Sequence, residues 1–193
     1  MRKIILFNMV SLDGFFEGPN REIDWHNVDE EFNKYSIDQT RSAGGLLFGR
    51  VTYELMAGYW PTPDASSNDP QVAEMMNTLP KIVFSKTLNQ ADWNNTRLVK
   101  EDAASEVSKL KQETGKDLYI FGSLKLSETL IRHSLIDEFR IMVNPVVIGR
   151  GRSLFPKIQD RLGLKLLDTR QFRSGNVLLA YQPKYIRDKE KLP

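Results

Sequence analysis

Three short apolar runs in this sequence end in residues of the kind that bind phosphate. These residues are Gly49-Arg50-Val51-Thr52, Ser85-Lys86-Thr87 and Gly122-Ser123. Glycine lets a ligand approach the backbone, the start of a helix offers free amides to an anion, and basic side chains add charge-assisted hydrogen bonds. A turn glycine or a solvated lysine would explain each cluster alone, but the three together favour a dinucleotide. The Gly-x-Gly-x-x-Gly fingerprint of the Rossmann fold is absent.

The alternation of strand-like and helix-like segments predicts an α/β fold with a mostly parallel central sheet flanked by helices. We predict strands over 4–10, 44–49, 81–85, 97–100 and 117–121, and helices over 28–40, 50–56, 72–78, 103–114 and 124–133. Turn-rich loops are predicted over 14–26 and 60–70. After residue 136 the pattern predicts a strand over 138–147 and an antiparallel C-terminal hairpin formed by 164–172 and 177–182.

The composition is that of a single globular domain. The chain has 193 residues, of which 40% are hydrophobic and 27% charged, and its formal net charge is +2. This near balance gives no support for a nucleic-acid groove or for binding to an anionic membrane surface. We expect one domain over residues 1–183, followed by a polar tail over 184–193.

The sequence has no cysteine and two histidines, His26 and His133. Disulfides, thiolate nucleophiles and cysteine-bound zinc are therefore excluded, and no metal site is expected. The apolar run that ends at Val10 is interrupted by Ser11-Leu12-Asp13-Gly14, unlike the core of a signal peptide. No apolar stretch approaches the ~20 residues that span a bilayer. We therefore expect a cytoplasmic protein without nucleic-acid or membrane partners.

The order of several motifs along the chain resembles the dihydrofolate reductase-like superfamily. The matching segments are Ser11–Gly14, Leu47–Glu54, Ile82–Ser85, Tyr119–Ser123, Leu135–Glu138, Asn144–Gly151 and Leu154-Phe155. They are most similar to the reductase domain of the bacterial bifunctional deaminase/reductases of riboflavin biosynthesis, and to its stand-alone relatives. The resemblance spans residues 3–183. The zinc deaminase domain of the bifunctional enzymes has no counterpart here, so we expect at most the reductase half.

This resemblance implies a reductase that uses NADPH. Gly49, Arg50 and Thr52 match the motif at the pyrophosphate and adenosine-phosphate end of the cofactor, and Ser85-Lys86 match the strand end at its 2′-phosphate. A basic residue there separates NADPH from NADH. The other cofactor-binding matches are Met9, Val10 and Phe16 near the nicotinamide, and Gly122, Ser123, Leu124, Lys125 and Leu126 near the pyrophosphate. The family's counterpart of Gly122-Ser123 is a Gly-Gly pair that often carries a cis peptide.

The substrate side is predicted on the loops that follow the first strand. Loop 14–26 resembles the mobile loop that closes over nicotinamide, which makes Trp25 a substrate contact unless it only anchors the loop. Folate reductases carry a substrate-binding carboxylate on the next helix, so the acidic residues at 29–31 are candidates. We take Glu30, with Asp13, as the catalytic pair. The alternative for Glu30 is a solvated position in the first helical turn, and the alternative for Asp13 is a turn-forming role.

A second basic segment, Gly149-Arg150-Gly151-Arg152, is a candidate for binding the phosphate of a ribosyl-phosphate substrate. Arginine forks fit phosphate well, and the flanking glycines let Arg150 and Arg152 reach a ligand. The alternative is an ordinary basic loop between strands. A homodimer is expected, because the apolar C-terminal strands need cover.

The predicted reaction is hydride transfer from the nicotinamide to a C=N or C=O carbon of a pyrimidine or pterin-like small molecule. The leading candidate is 5-amino-6-(5-phosphoribosylamino)uracil, the reductase substrate of riboflavin synthesis, and dihydrofolate is less favoured. The alternative is a non-catalytic nucleotide-binding module that has kept the cofactor pocket.

Overall fold

An eight-stranded sheet forms the centre of the fold. The computed structural model describes residues 1–156, 158 and 160–185. Its strands are β1 (Ile4–Ser11), β2 (Phe15–Glu17), β3 (Gly45–Gly49), β4 (Lys81–Phe84), β5 (Thr96–Val99), β6 (Leu118–Phe121), β7 (Glu138–Asn144), β8 (Arg152–Ser153), β9 (Gly163–Gln171) and β10 (Val177–Lys184). Its helices are α1 (Glu30–Ser42), α2 (Arg50–Tyr59), α3 (Pro63–Asn68), α4 (Pro70–Thr78), α5 (Ala103–Gln112) and α6 (Leu124–Arg132).

The sheet has the strand order β5-β4-β3-β6-β1-β7-β10-β9. From β5 to β7 in this order, each strand is parallel to the next one. Strand β10 runs antiparallel to both β7 and β9. This confirms the predicted α/β class with an antiparallel C-terminal hairpin. Parallel neighbours need a crossover connection, which is why helices separate them along the chain. Strands β2 and β8 form a separate two-stranded sheet.

The central strand β1 is apolar along most of its length because both of its faces are covered. Ile4 and Leu6 pack on one face in a cluster that includes Leu130 of α6. Ile5 belongs to the cluster on the other face, which includes Phe48 of β3. Burial on both faces explains why a continuous apolar run, rather than an alternating one, predicted this strand.

Two predicted loops contain regular structure, and both predictions are wrong in part. Within 14–26, β2 pairs with β8 far along the chain. Within 60–70, α3 begins at Pro63, and the Thr62 hydroxyl caps it by accepting a hydrogen bond from the Ala65 amide at 3.2 Å. A capping threonine followed by proline at the first helical position is a usual helix start, so the second signal was present in the sequence.

The predicted polar tail over 184–193 is only partly described. Lys184 is the last residue of β10 and pairs with Gly163, and residues 186–193 lie outside the described residues. Within the described part of the chain, no helix is long and apolar enough to cross a membrane. The same residues include no group of three histidine or acidic side chains placed to hold a metal ion.

Candidate functional site

A cleft of about 470 Å³ lies at the carboxyl ends of the parallel strands. Its walls are the first turns of α2 and α6, the segments that follow β4 and β5, and the small β2–β8 sheet. Because β4, β3 and β6 are neighbours in the sheet, the residues that follow them meet at one edge. The structure thus brings together the three predicted phosphate-binding clusters, although Gly122 itself is not part of the lining. From the clusters and the predicted residues that follow Ser123, the lining contains Gly49, Arg50, Val51, Thr52, Ser85, Lys86, Ser123, Leu124, Lys125 and Leu126.

Two helices begin at this cleft without a side-chain cap. The N-cap residue of α2 is Gly49, which has no side chain, and that of α6 is Ser123, whose hydroxyl accepts no hydrogen bond from its own helix. The first amides of a helix have no intrahelical partner, and the helix dipole adds partial positive charge there. Lys125 brings a full positive charge to the same wall. Two helix starts and a lysine on one cleft suit a ligand with adjacent phosphates.

Ser123 connects the two helix starts through its backbone and its hydroxyl. Its hydroxyl accepts a hydrogen bond from the Gly49 amide at 3.0 Å and lies 3.2 Å from the Phe121 carbonyl, to which it donates. Its amide donates to the Thr52 hydroxyl at 2.9 Å. Both Gly122 and Ser123 have a left-handed backbone, with φ of 63° and 60°, and no peptide bond in the described residues is cis. The serine therefore ties the start of α2 to the start of α6.

The end of the cleft beyond β4 carries charges of both signs. Lys86 is exposed there, whereas Arg50 forms an ion pair of 3.0 Å with Glu54 one turn along α2. Glu101 and Asp102 line the same end, and the Asp102 carboxylate caps α5 by accepting from the Ser105 amide at 2.8 Å. At this end of the cleft, Arg50 therefore has a carboxylate partner, whereas the described contacts give Lys86 none.

The opposite wall is a flap made of residues 15–22 and 150–153, in which β2 pairs with β8. Phe16 reaches across the cleft, and its ring lies 3.6 Å from the point that a Cβ on Gly122 would occupy. Glu17 is buried and forms an ion pair of 3.0 Å with Arg152. Glu17 and Arg21 also line the cleft, and the sequence analysis missed both. Strands of three and two residues leave no periodic pattern that could have revealed them.

Asp13, predicted to be catalytic, does not line the cleft. Its carboxylate accepts hydrogen bonds from the amides of Gly149 at 2.8 Å and Ile148 at 3.3 Å. A hydrogen bond from the Ser11 hydroxyl, together with these two amides, holds the pKa of Asp13 below its usual value. The structure therefore places Asp13 as an ionised anchor for the loop that leads to the flap.

The acidic start of α1 also lies away from the cleft lining. The Asp29 carboxylate caps the helix by accepting from the Phe32 amide at 2.7 Å. Glu31 binds the Arg170 side chain at 3.0 Å and the Arg173 amide at 2.9 Å, and these contacts, the amide first, lower its pKa. Glu30 is exposed. Two of the three candidate carboxylates thus have structural partners.

The other predicted residues outside the lining hold the surrounding structure. Met9 and Val10 are buried in two different apolar clusters beneath the cleft edge. The Trp25 indole donates to the Glu22 carbonyl at 3.2 Å. Arg150 lies close enough to Glu22 for its charge to help lower the pKa of that carboxyl, after the hydrogen bonds from the backbone amide of Glu22 and from Asn20.

A buried asparagine network fixes the end of the flap loop to the sheet. The Asn144 side chain accepts from the Asn27 amide at 2.8 Å and donates to the Val10 carbonyl at 3.2 Å. The Asn176 side chain donates to the Asn27 carbonyl at 2.7 Å. The three asparagines join the loop before α1, the end of β1 and the C-terminal hairpin. The resemblance had included Asn144 in a matching segment, but it gave none of the three this role.

His26 lies next to this network, and the burial of its imidazole predicts a loss of stability in acid. Burial lowers its pKa from 6.5 to about 4. Between these values the unfolded chain binds a proton that the folded chain does not, so stability is complete above pH 6.5 and falls as the pH drops towards 4. We expect His26 to account for about 2–3 kcal/mol of the decrease in the free energy of unfolding. Urea unfolding at pH 7 and pH 4.5 measures it.

The matched variants are His26→Phe and His133→Gln. The carboxylates of the protein also titrate in acid, so the diagnostic quantity is the difference between each variant and the wild type. We expect His26→Phe to lose less stability than the wild type on acidification, while His133→Gln, which changes an exposed histidine, follows the wild type. Identical pH dependence in all three proteins would contradict the assignment.

Comparisons with known proteins show which chains and folds this protein is similar to. The chain is 36% identical to the uncharacterized protein YyaP of Bacillus subtilis (strain 168) over 180 residues, which cover 93% of this chain and 94% of YyaP. Its fold is similar to that of a Shewanella sp. PV-4 protein provisionally assigned to riboflavin biosynthesis, with a TM-score of 0.71, 21% identity, and coverage of 95% and 99% of the two chains.

The fold is also similar to that of a dihydrofolate reductase from Enterococcus faecalis solved with NADP(H). The TM-score is 0.63 at 15% identity, and the match covers 95% of this chain and 97% of the other. These likenesses confirm the predicted dihydrofolate reductase-like fold. The family model of the RibD C-terminal domain matches residues 2–178. This match covers nearly the whole chain and includes every strand that borders the cleft, and the chain therefore belongs to the RibD C-terminal domain family.

Proposed function

We propose that this protein is an NADPH-dependent reductase whose cofactor lies in the cleft at the carboxyl ends of β4, β3 and β6. The observation that carries the proposal is the pair of uncapped helix starts, at Gly49 and Ser123, that open onto one cleft with Lys125 beside them. A diphosphate bridge placed there would accept hydrogen bonds from both helix starts. Family membership and the likeness to a reductase solved with NADP(H) support the same reading.

The residues of the chain would orient the cofactor and exclude water. The amides that follow Gly49 and Ser123 would bind the diphosphate, and the exposed Lys86 beyond β4 would bind the 2′-phosphate. Phe16 on the flap lines the cleft from the opposite side and would limit the access of solvent to a cofactor bound there. When bound, the cofactor supplies the hydride.

The proposed substrate is a pyrimidine or pterin-like small molecule, with 5-amino-6-(5-phosphoribosylamino)uracil as the leading candidate. The family and the riboflavin-related Shewanella structure support this choice. We keep Asp13 and Glu30 as proposed catalytic residues, although neither lines the cleft. That placement favours a second candidate, a non-catalytic module that binds the nucleotide without turnover.

A titration and a substrate screen separate these functions. NADPH added to the purified protein should quench tryptophan fluorescence and bind more tightly than NADH. With saturating NADPH, the aminouracil candidate and dihydrofolate are then added while absorbance at the wavelength of the reduced cofactor is followed. Consumption of NADPH supports the reductase, whereas binding without consumption across the panel supports the module. A wild-type protein that binds neither dinucleotide would refute both.

We further propose that two copies of the chain pair through β9. This nine-residue strand lies at one edge of the sheet, and every residue in it is exposed. Three of them are leucines, Leu164, Leu166 and Leu167, with exposed fractions of 42%, 52% and 47%. A long edge strand with exposed leucines offers unpaired backbone groups and apolar side chains to another strand.

Sedimentation equilibrium is expected to show a dimer for the wild type and a monomer for Leu166→Lys. The lysine would place a charge in the centre of the paired strands. Leu55→Lys makes the same change at an exposed leucine of α2 and should leave the dimer intact. A wild type that sediments as a monomer at micromolar concentration would contradict the proposal.

A further inference from the structure

Trp93 is a buried tryptophan that is held on several sides. It lies in segment 85–95, which joins β4 to β5 and carries Lys86 near its start. Its indole N–H donates to the side-chain oxygen of Asn77 in α4 at 2.7 Å, and the Lys81 ammonium lies 4.5 Å from the centre of its ring. That ammonium is itself held, because it donates to three carbonyl oxygens at the end of α4 at 2.7–3.2 Å. Trp93 therefore has a fixed position relative to β4 and α4.

Helix α2 is attached to this tryptophan at two points. The Trp93 amide donates to the hydroxyl of Tyr53, a buried residue one turn into α2, at 3.1 Å. Just beyond the other end of α2, the Trp60 carbonyl accepts from the side chain of Asn77, the same residue that binds the Trp93 indole, at 2.9 Å. Among the hydrogen bonds of the described residues, the one through Tyr53 directly joins α2 to the segment that carries Lys86.

This link joins two parts of the cleft that bind different groups in the proposed function. The start of α2, at Gly49, would bind the diphosphate, and Lys86 would bind the 2′-phosphate. NADPH carries both groups on one molecule, so both contacts form together only at the correct spacing of α2 and segment 85–95. NADH lacks the 2′-phosphate and does not depend on this spacing. Hydrogen bonds weaken steeply as their distance and angle depart from the optimum, so a small change in spacing affects NADPH more than NADH.

We infer that Tyr53 is a positioning residue that favours NADPH over NADH, because its hydrogen bond to Trp93 sets the spacing between the start of α2 and Lys86. This inference rests on the proposed function, since it concerns how the cofactor of that function is selected. Tyr53 is not part of the cleft lining, so it acts through the two phosphate-binding parts and not by contact with the cofactor.

The test compares the affinities of variants for the two dinucleotides by calorimetry on the full chain. The central variant is Tyr53→Phe, which keeps the ring in its apolar cluster and removes only the hydroxyl. Tyr59→Phe makes the same change at an exposed tyrosine of α2 and is the matched control. Asn77→Ala is a second route to the same effect, because it removes the acceptor of the Trp93 indole.

We expect Tyr53→Phe to lower the ratio of NADPH affinity to NADH affinity about three- to fivefold, with NADH affinity within about twofold of the wild type. Its melting temperature should fall by about 2–6 °C, because the buried Trp93 amide loses its partner. Asn77→Ala should lower the ratio in the same direction, and Tyr59→Phe should change neither quantity. In a Lys86→Ala chain, Tyr53→Phe should leave the ratio unchanged, because the selective contact is already absent.

An unchanged ratio in Tyr53→Phe, at any melting temperature, would overturn the inference and make the tyrosine a structural residue only. An undiminished effect on the ratio in the Lys86→Ala chain would also overturn it, because Tyr53 would then act without Lys86. If Tyr53→Phe does not fold, the ratio in Asn77→Ala decides in the same way. A wild type without preference for NADPH refutes the proposed function and the inference with it. A wild type that prefers NADPH, together with variants of equal preference, refutes the inference alone.

Discussion

Replacing Gly151 by alanine is expected to lower the free energy of unfolding by about 2–4 kcal/mol. The φ of Gly151 is +158°, and a Cβ on this residue would lie 2.3 Å from the Glu17 carbonyl oxygen. That oxygen belongs to the backbone of β2, so the contact is relieved only if β2 moves away from β8. The flap would then lose the geometry that holds Glu17 against Arg152. Urea unfolding at pH 7 measures the change in stability.

Gly149→Ala is the matched control for this prediction. Gly149 lies in the same loop with a φ of +75°, but a Cβ there would meet no atom within 4 Å. Its replacement should therefore cost only the left-handed backbone strain, about 1–2 kcal/mol. The difference between the two variants isolates the contact with β2. Equal destabilisation by both substitutions would show that the flap is not packed against Gly151 in solution.

Lys86→Ala is expected to weaken NADPH binding about 10–30-fold and NADH binding less than about twofold. The two dinucleotides differ by the 2′-phosphate, and the described contacts leave Lys86 as the cation without a carboxylate partner at that end of the cleft. Arg50 is neutralised by Glu54, and Glu101 and Asp102 add negative charge nearby. Fluorescence titration with both dinucleotides gives the ratio of affinities.

The control for this charge change is Lys34→Ala, which removes an exposed lysine of α1. It should alter neither affinity. The prediction depends on selectivity rather than on affinity alone, because any positive residue near the cleft attracts both dinucleotides. A parallel loss of NADPH and NADH affinity in Lys86→Ala would place Lys86 at a phosphate that the two share. No loss of either would remove Lys86 from the site.

The strands and their ligand-facing ends could be predicted from the sequence because burial on both faces leaves a simple signal. A parallel strand covered by helices is a short apolar run, and its end is marked by glycine or polar residues, as at Gly49 and Ser85. These ends also had to meet, since parallel strands present them at one edge of a sheet. The convergence of the three phosphate-binding clusters could therefore be predicted from the sequence.

The flap and the partners of the acidic residues could not be predicted from the sequence in this way. Strand β2 pairs with a two-residue strand about 135 positions further along the chain, and neither segment is long enough to show a period. Asp13 and Glu31 are carboxylates of the expected type, but their roles depend on which amides and arginines lie nearby in space. Residue type fixes what a side chain can bind, whereas tertiary contacts decide what it does bind.

The central place of β1 has a consequence for synthesis on the ribosome. This apolar strand precedes its two sheet neighbours, β6 and β7, along the chain, and its first partner, Leu118, follows Ile4 by about 110 residues. At translation rates of 5–20 residues per second, the strand emerges about 5–20 s before that neighbour. During this interval the backbone edges and apolar side chains of β1 have no partner strand in the sheet, which exposes the growing chain to aggregation until β6 and β7 are made.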